Sequence, residues 1–171
     1  DVDDTVGKTI TVARFTFNAN DHAIMGSTQC GNVSLTNVKA ITGDTAVWLH
    51  DSGHLDVFNC ELGGIEAIDC EGVGTVVIHG TETKLTGSFI AVSIGSVGSA
   101  SIASATIATT SPNPKHGAIY ARYGTTLYAK GIKGTLGASP VFQSSGSIIF
   151  KDSITATGAA DIKDKGGQIF S

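Results

Sequence analysis

Short runs of alternating apolar and polar residues recur along the whole chain, and each run opens close after a glycine. These glycines lie 21 to 26 residues apart, at Gly7, Gly31, Gly53, Gly74, Gly98, Gly124 and Gly146. An alternation with a period of two is typical of a β-strand that has one buried face. The pattern therefore predicts one such strand in each repeat.

A second set of apolar positions recurs independently of the glycines. It places one branched aliphatic residue in each repeat, and these residues are Ile24, Val47, Ile68, Val92, Ile119, Val141 and Ile162. A third, weaker strand pattern lies between the two, for example at Cys60-x-Leu62 and Ala105-x-Ile107. Three short strands in a repeat of roughly 20 to 25 residues, with no helix between them, are typical of one coil of a parallel β-helix. A β-sandwich remains the alternative, although it would not require every third strand to match.

We therefore predict an all-β fold, a parallel β-helix (solenoid) wound from one chain, with about seven coils of roughly 22 residues each. In such a fold equivalent inward side chains lie above one another, about 4.8 Å apart. The aliphatic set should form one inner ladder, and a second ladder should contain Val33, Leu55, Val76, Ala100 and Ile148. We expect residues 1–171 to form a single domain that is a segment of a longer chain, because neither end offers a capping helix.

Composition narrows the possible functions. Charged residues make up 15% of the chain, against roughly 25% in an average soluble domain. The net charge is -4 and no basic stretch is present, so we expect no nucleic-acid partner. No apolar run approaches about 18 residues, so we expect no membrane insertion. The 3 cysteines lack a C-x-x-C spacing, and we predict neither a metal nor a cofactor.

One outer face collects most of the chemically useful side chains. The residue after each ladder position should point outward, which predicts a row of Met25, Trp48, Asp69, Ser93, Tyr120, Phe142 and Lys163. Two residues further along each strand, the outward row includes His50, Glu71 and Arg122. Aromatic rings stack on the apolar faces of sugars, while charged groups bond the hydroxyls. We therefore predict a carbohydrate-binding site formed by Trp48, His50, Tyr120 and Arg122.

Asp69 and Glu71 offer an enzymatic alternative. They lie two residues apart on one face of a predicted strand, about 6–7 Å from each other. This separation is compatible with the paired catalytic carboxylates of glycoside hydrolysis, and a polysaccharide lyase with Arg122 as base is a further alternative. Any Asp-x-Glu on a strand meets the same criterion, so plain solvation or a subunit contact stays open. For Asp44 and Glu66, at other corners, solvation is the favoured interpretation.

Two segments carry a resemblance to a known family. The sequences AIYARYGTTLY at 118–128 and EAIDCEGVGTVVI at 66–78 resemble the coils of pectin-lyase-like right-handed β-helices. Within that group the chain looks most like the shaft of bacteriophage tailspikes and tail fibres. The resemblance implies a right-handed winding, a homotrimer, a location on the virion and a bacterial surface polysaccharide as receptor. Secreted autotransporter-type adhesins of the bacterial cell surface are the nearest alternative, and no catalytic motif is carried over.

Overall fold

The computed structural model describes residues 7–27 and 30–171, and in this part of the chain every regular element is a β-strand. Since the described residues form no helix, none of them supplies a helix that could cross a membrane. In chain order the strands are β1 (Thr9–Ala13), β2 (Thr16–Ala19), β3 (Ile24–Gly26), β4 (Cys30–Thr36), β5 (Lys39–Thr42), β6 (Val47–His50), β7 (Ser52–Phe58), β8 (Glu61–Gly64), β9 (Ile68–Glu71), β10 (Thr75–His79), β11 (Lys84–Gly87), β12 (Val92–Gly95), β13 (Ser99–Ala103), β14 (Thr106–Thr109), β15 (Ile119–Arg122), β16 (Thr126–Lys130), β17 (Thr135–Pro140), β18 (Phe142–Ser145), β19 (Ile148–Asp152), β20 (Thr157–Ala159), β21 (Ile162–Asp164) and β22 (Gln168–Phe170).

Strands three apart in the chain pair in parallel, which produces three long sheets. Sheet A contains β1, β4, β7, β10, β13, β16, β19 and β22 in this spatial order. Sheet B contains β2, β5, β8, β11 and β14, sheet C contains β3, β6, β9, β12, β15, β18 and β21, and β17 pairs with β20. The chain is therefore a parallel β-solenoid of about seven turns with roughly 23 residues per turn. This confirms the predicted fold class and is consistent with a right-handed β-helix.

The core is made of aliphatic side chains stacked from coil to coil. In sheet C, Ile24, Val47, Ile68, Val92 and Ile119 are paired in register and buried, as the repeat predicts. In sheet A the corresponding ladder is Val33, Leu55, Val76 and Ala100, and each of these side chains is fully buried. Each buried aliphatic side chain contributes about 1.5–3 kcal/mol, and no coil could bury its inner face without its neighbours.

Both ladders shift by one residue in the later coils, so part of the prediction was wrong. Ile119 pairs with Phe142 rather than Val141, and Ile162 pairs with Gln143. Phe142 was expected on the outer face but is fully buried, and Val141, which directly precedes β18, is buried as well. In sheet A, Leu127 pairs with Ile149, which is buried. The expected inner residue, Ile148, lies outside and is 36% exposed.

The corners of the coil are built on residues with positive φ. The turn that follows each sheet A strand from β1 to β19 contains at least one such residue, at Arg14, Asn37, Asn59, Gly80, Ser104, Gly131 and Ser153. The turn from sheet C to sheet A has the same feature at Asp51, Gly72, Ser96, Tyr123, Gly146 and Lys165. The left-handed conformation favours Gly, Asn and Asp. This preference explains why these residues recur between the strands of the sequence. In the described residues these bends recur from coil to coil, which helps to hold equivalent strands in parallel pairs along the shaft.

Candidate functional site

The strand register places the predicted site residues on one surface, the outer side of sheet C from β3 to β15, which we call the Trp48 face. One row of outward residues along it is Met25, Trp48, Asp69, Ser93 and Tyr120. A second row is His50, Glu71, Gly95 and Arg122. Trp48 is thus the direct neighbour of Asp69, and His50 that of Glu71, whereas Tyr120 lies two strand spacings from Asp69, about 10 Å away.

Arg122 connects coils that are not adjacent. Its side chain crosses β12 and reaches β9, where Nη2 donates to Oδ1 of Asp69 over 3.0 Å. Nη1 of the same guanidinium lies 3.5 Å from Oε2 of Glu71. Nε2 of His50 approaches the other oxygen of Asp69, Oδ2, at 3.7 Å. Arg122, Asp69 and Glu71 therefore form one charged network, with the His50 imidazole beside it. Asp69 accepts a hydrogen bond from the guanidinium, and Glu71 forms an ion pair with it.

Partial burial of this network strengthens its charge pairing. The side chains of Arg122 and Asp69 are 19% and 17% exposed. Burial by itself lowers the pKa of Arg122, but the charges of Asp69 and Glu71 outweigh it and raise the pKa above its ordinary value. The guanidinium is therefore a fixed cation, and its two partners are held in one geometry. A guanidinium that bridges two carboxylates in this way is more rigidly held than one in a single exposed ion pair.

A glycine makes the long reach of Arg122 possible. Gly95 occupies the position on β12 over which the arginine passes. A Cβ atom at Gly95 would lie 2.9 Å from Cγ and 3.0 Å from Nε of Arg122, closer than such atoms normally come. Sequence reasoning gave Gly95 no role, because the function of this residue is the space that it leaves for a side chain one coil away.

Trp48 is held between two imidazole rings. The ring of His22 stacks on it with centroids 5.6 Å apart and planes 13° from parallel. The ring of His50 lies 4.3 Å away and is tilted by 38°. Nδ1 of His22 is 2.9 Å from the backbone oxygen of Thr45, which fixes the orientation of that imidazole. The indole is half-buried, so only part of its surface faces solvent.

Glu66 lies at the edge of the Trp48 face and was missed by the sequence analysis. Burial raises the pKa of its carboxyl to about 7, and the negative charges of Asp69 and Asp44 act in the same direction against Arg122. Its Oε2 atom is buried and has no hydrogen-bond partner among the described residues. Glu66 is half-buried rather than plainly solvated. The sequence did hold a signal for this residue. Glu66 lies two residues before the buried Ile68, and His22, beside Trp48, lies two residues before Ile24 in the same way.

One group of side chains in the described part of the chain has the donor spacing of a metal site. One donor atom each from Asp21, His22 and Asp44 lies within 4.8 Å of the others. The corner loops that precede β3 and β6 supply these residues, next to Trp48. The sequence analysis predicted no metal and assigned Asp44 to solvation.

Comparisons with known proteins add no relative to this picture. A scan against protein-family models found no match. Searches of the curated proteins and of the solved structures found no significant match either. The class that the coordinates define is the parallel β-solenoid, and the function has to be argued from the side chains on its surface.

Proposed function

We propose that the protein is a shaft segment of a phage tailspike or tail fibre that binds a bacterial surface polysaccharide on its Trp48 face. The observation that carries the proposal is the half-buried indole of Trp48 lying beside the network of Arg122, Asp69 and Glu71. An indole edge and face offer apolar contact to the C–H groups of a pyranose, while fixed charges bond its hydroxyl groups.

Rigidity supports this proposal. Arg122 is tied to two carboxylates, and Trp48 lies against two imidazoles, so a ligand would order few side chains on binding. Immobilising a rotamer-rich side chain costs about 0.5–1.5 kcal/mol, which a preorganised face avoids. A repeating glycan suits a surface whose rows repeat at the strand spacing of about 4.8 Å.

Binding is favoured over hydrolysis by the arrangement of the carboxylates. Hydrolysis by Asp69 and Glu71 needs one carboxyl to give a proton to the leaving oxygen. Both groups here are ion-paired with Arg122, and carboxylate oxygens held in this way are suited to accept hydrogen bonds from sugar hydroxyls. If the face nevertheless cleaves its ligand, new reducing ends will appear and their release will stop in Asp69→Asn.

The first test compares two aromatic residues on different faces. We expect Trp48→Ala to weaken retention on immobilised bacterial capsular and O-antigen polysaccharides at least about tenfold, which corresponds to about 1.4 kcal/mol. Tyr128→Ala is the matched control, because Tyr128 is 52% exposed on the outer side of sheet A. Circular dichroism and the midpoint of thermal unfolding check that both variants fold.

Two outcomes would refute binding by the Trp48 face. One is a Trp48→Ala variant that folds and is retained like the wild type on every polysaccharide that the wild type binds. The other is an equal loss in Tyr128→Ala.

We also propose that the protein is a homotrimer, as the resemblance to tailspike shafts implies. Native mass spectrometry should then give three times the mass of the 17.4 kDa chain, and a monomer would refute this part of the proposal.

A further inference from the structure

We propose that Asp21, His22 and Asp44 bind a divalent transition-metal ion at the corner beside Trp48. Their donor atoms lie within 4.8 Å of one another, so small side-chain movements would bring all three to the distance of about 2.0–2.2 Å at which such ligands hold a Zn²⁺ ion. Nε2 of His22 is 3.4 Å from Oδ1 of Asp21, close enough for a small movement to place an ion between them. The proposal does not depend on glycan binding.

The imidazole of His22 is already oriented as a ligand. Its Nδ1–H donates to the backbone oxygen of Thr45 over 2.9 Å, so the lone pair belongs to Nε2, the atom that faces Asp21. Metal-binding histidines characteristically donate their second ring N–H to a carbonyl or carboxylate in this way. The side chain is only 17% exposed and stacks on Trp48, so its position is constrained from two sides.

The topology brings the two carboxylates together, and in the described part of the chain neither of them forms an ion pair with a Lys or Arg. Ile24 pairs with Val47, and Asp21 and Asp44 each lie three residues before these partners, so they occupy equivalent corners of adjacent coils. Two carboxylates brought this close at adjacent corners repel one another. A bound cation would convert this repulsion into attraction. Asp21 is 78% exposed, which leaves the site open to an ion from solution.

The donor set selects the kind of ion. Zn²⁺ readily binds a set of one imidazole nitrogen and two carboxylate oxygens, with a fourth position open for water. Ca²⁺ and Mg²⁺ favour ligand sets made of oxygen alone. We therefore use Zn²⁺ as the probe.

Trp48 provides an internal reporter, since it is the 1 tryptophan of the chain and lies against His22. Protein stripped with a chelator is titrated with Zn²⁺ by calorimetry, and tryptophan fluorescence is followed in parallel. We expect saturable binding of about one ion with a fluorescence change that follows the same isotherm. His22→Gln and Asp44→Asn should each weaken binding at least about tenfold. Trp48→Phe should keep the calorimetric signal.

The matched control is His79→Gln. His79 forms a similar imidazole–carboxylate pair with Asp56 at 3.0 Å, but on the outer side of sheet A and without a third ligand. This variant should bind Zn²⁺ like the wild type. The proposal is overturned if Zn²⁺ does not bind saturably, if His22→Gln and Asp44→Asn leave the affinity unchanged, or if His79→Gln weakens it as much as they do.

Discussion

At the scale of single residues, the contact between Gly95 and Arg122 shows how a missing side chain shapes the surface. Arg122 reaches Asp69 only by lying across β12 at Gly95. Glycine within a strand ordinarily weakens it by about 0.5–1 kcal/mol relative to alanine. The presence of glycine at this position is explained if the ion pairs of Arg122 stabilise the fold by more than the free energy that the glycine costs β12.

This explanation predicts the sign of the effect of Gly95→Ala. Without a clash, alanine would stabilise the strand, but the Cβ atom would displace Arg122 and remove its hydrogen bond to Asp69. We expect the free energy of unfolding to fall by about 1–2 kcal/mol, because the lost charge-assisted hydrogen bond is worth about 1.5–3 kcal/mol and the alanine returns about 0.5–1 kcal/mol to the strand. Chemical denaturation measures the change.

A double-mutant cycle provides the control. Asp69→Asn removes the charge that Arg122 reaches, so Gly95→Ala should cost clearly less in the Asp69→Asn background than in the wild type. Costs that add to within about 0.5 kcal/mol would contradict the coupling, and a stabilised Gly95→Ala variant would show that the arginine network contributes little.

At the scale of the element, the sequence predicts strand register well where each inner position has a single apolar candidate. Val33 and Leu55 each stand between polar neighbours, and both lie on the predicted ladder. The prediction failed at Val141–Phe142 and at Ile148–Ile149, where two apolar residues are adjacent. A slip by one residue moves a side chain to the opposite face, and alternation alone cannot choose between such neighbours.

On the Trp48 face, too, the sequence predicts the contacts that follow from the repeat and misses the others. That Trp48 lies beside Asp69 follows from the repeat, because both directly follow a ladder residue. The reach of Arg122 over Gly95 depends on side-chain length and on free space, and the approach of His22 to Trp48 depends on the shape of a corner. Neither property is encoded in the alternation of a strand, so the sequence did not predict them.

The pair Ile148 and Ile149 allows a direct test of register in β19. Ile149 is fully buried, and Ile149→Ala should lower the free energy of unfolding by about 2–5 kcal/mol through lost burial and the cavity left behind. Ile148 is 36% exposed, and Ile148→Ala should cost less than about 1 kcal/mol. Urea denaturation of the two variants measures the difference, and equal or reversed costs would contradict the register.

At the scale of the whole molecule, the raised pKa of the Glu66 carboxyl makes stability depend on pH near neutrality. Among the described groups whose pKa clearly departs from its ordinary value, only Glu66 titrates between pH 4.5 and about 7. Burial raises the pKa of the Cys60 and Cys70 thiols, which affects stability only above their ordinary value of 9.0. Stability measured from pH 4 to 8 therefore isolates the contribution of Glu66 from that of the thiols.

The direction in which stability changes with pH follows from the number of protons bound by the folded and unfolded chains. With a pKa of about 7 against an ordinary value of 4.5, the Glu66 carboxyl holds a proton in the folded chain that the unfolded chain has released. Raising the pH through this window therefore lowers the free energy of unfolding. Glu66→Gln cannot ionise, so it should gain stability relative to the wild type as the pH rises, on the order of 2 kcal/mol by pH 8.

The measurement is chemical denaturation of both proteins in a chelator from pH 4 to pH 8, with the difference in unfolding free energy plotted against pH. Asp69, Asp44 and Arg122, the charged groups that act on Glu66, are present in both proteins, so their own titration largely cancels in the difference. Glu82→Gln, at an exposed side chain, is the control and should give a flat difference. A flat curve for Glu66→Gln as well would mean that Glu66 ionises in the folded chain as readily as in water, and that this edge of the Trp48 face is wetter than its buried Oε2 atom implies.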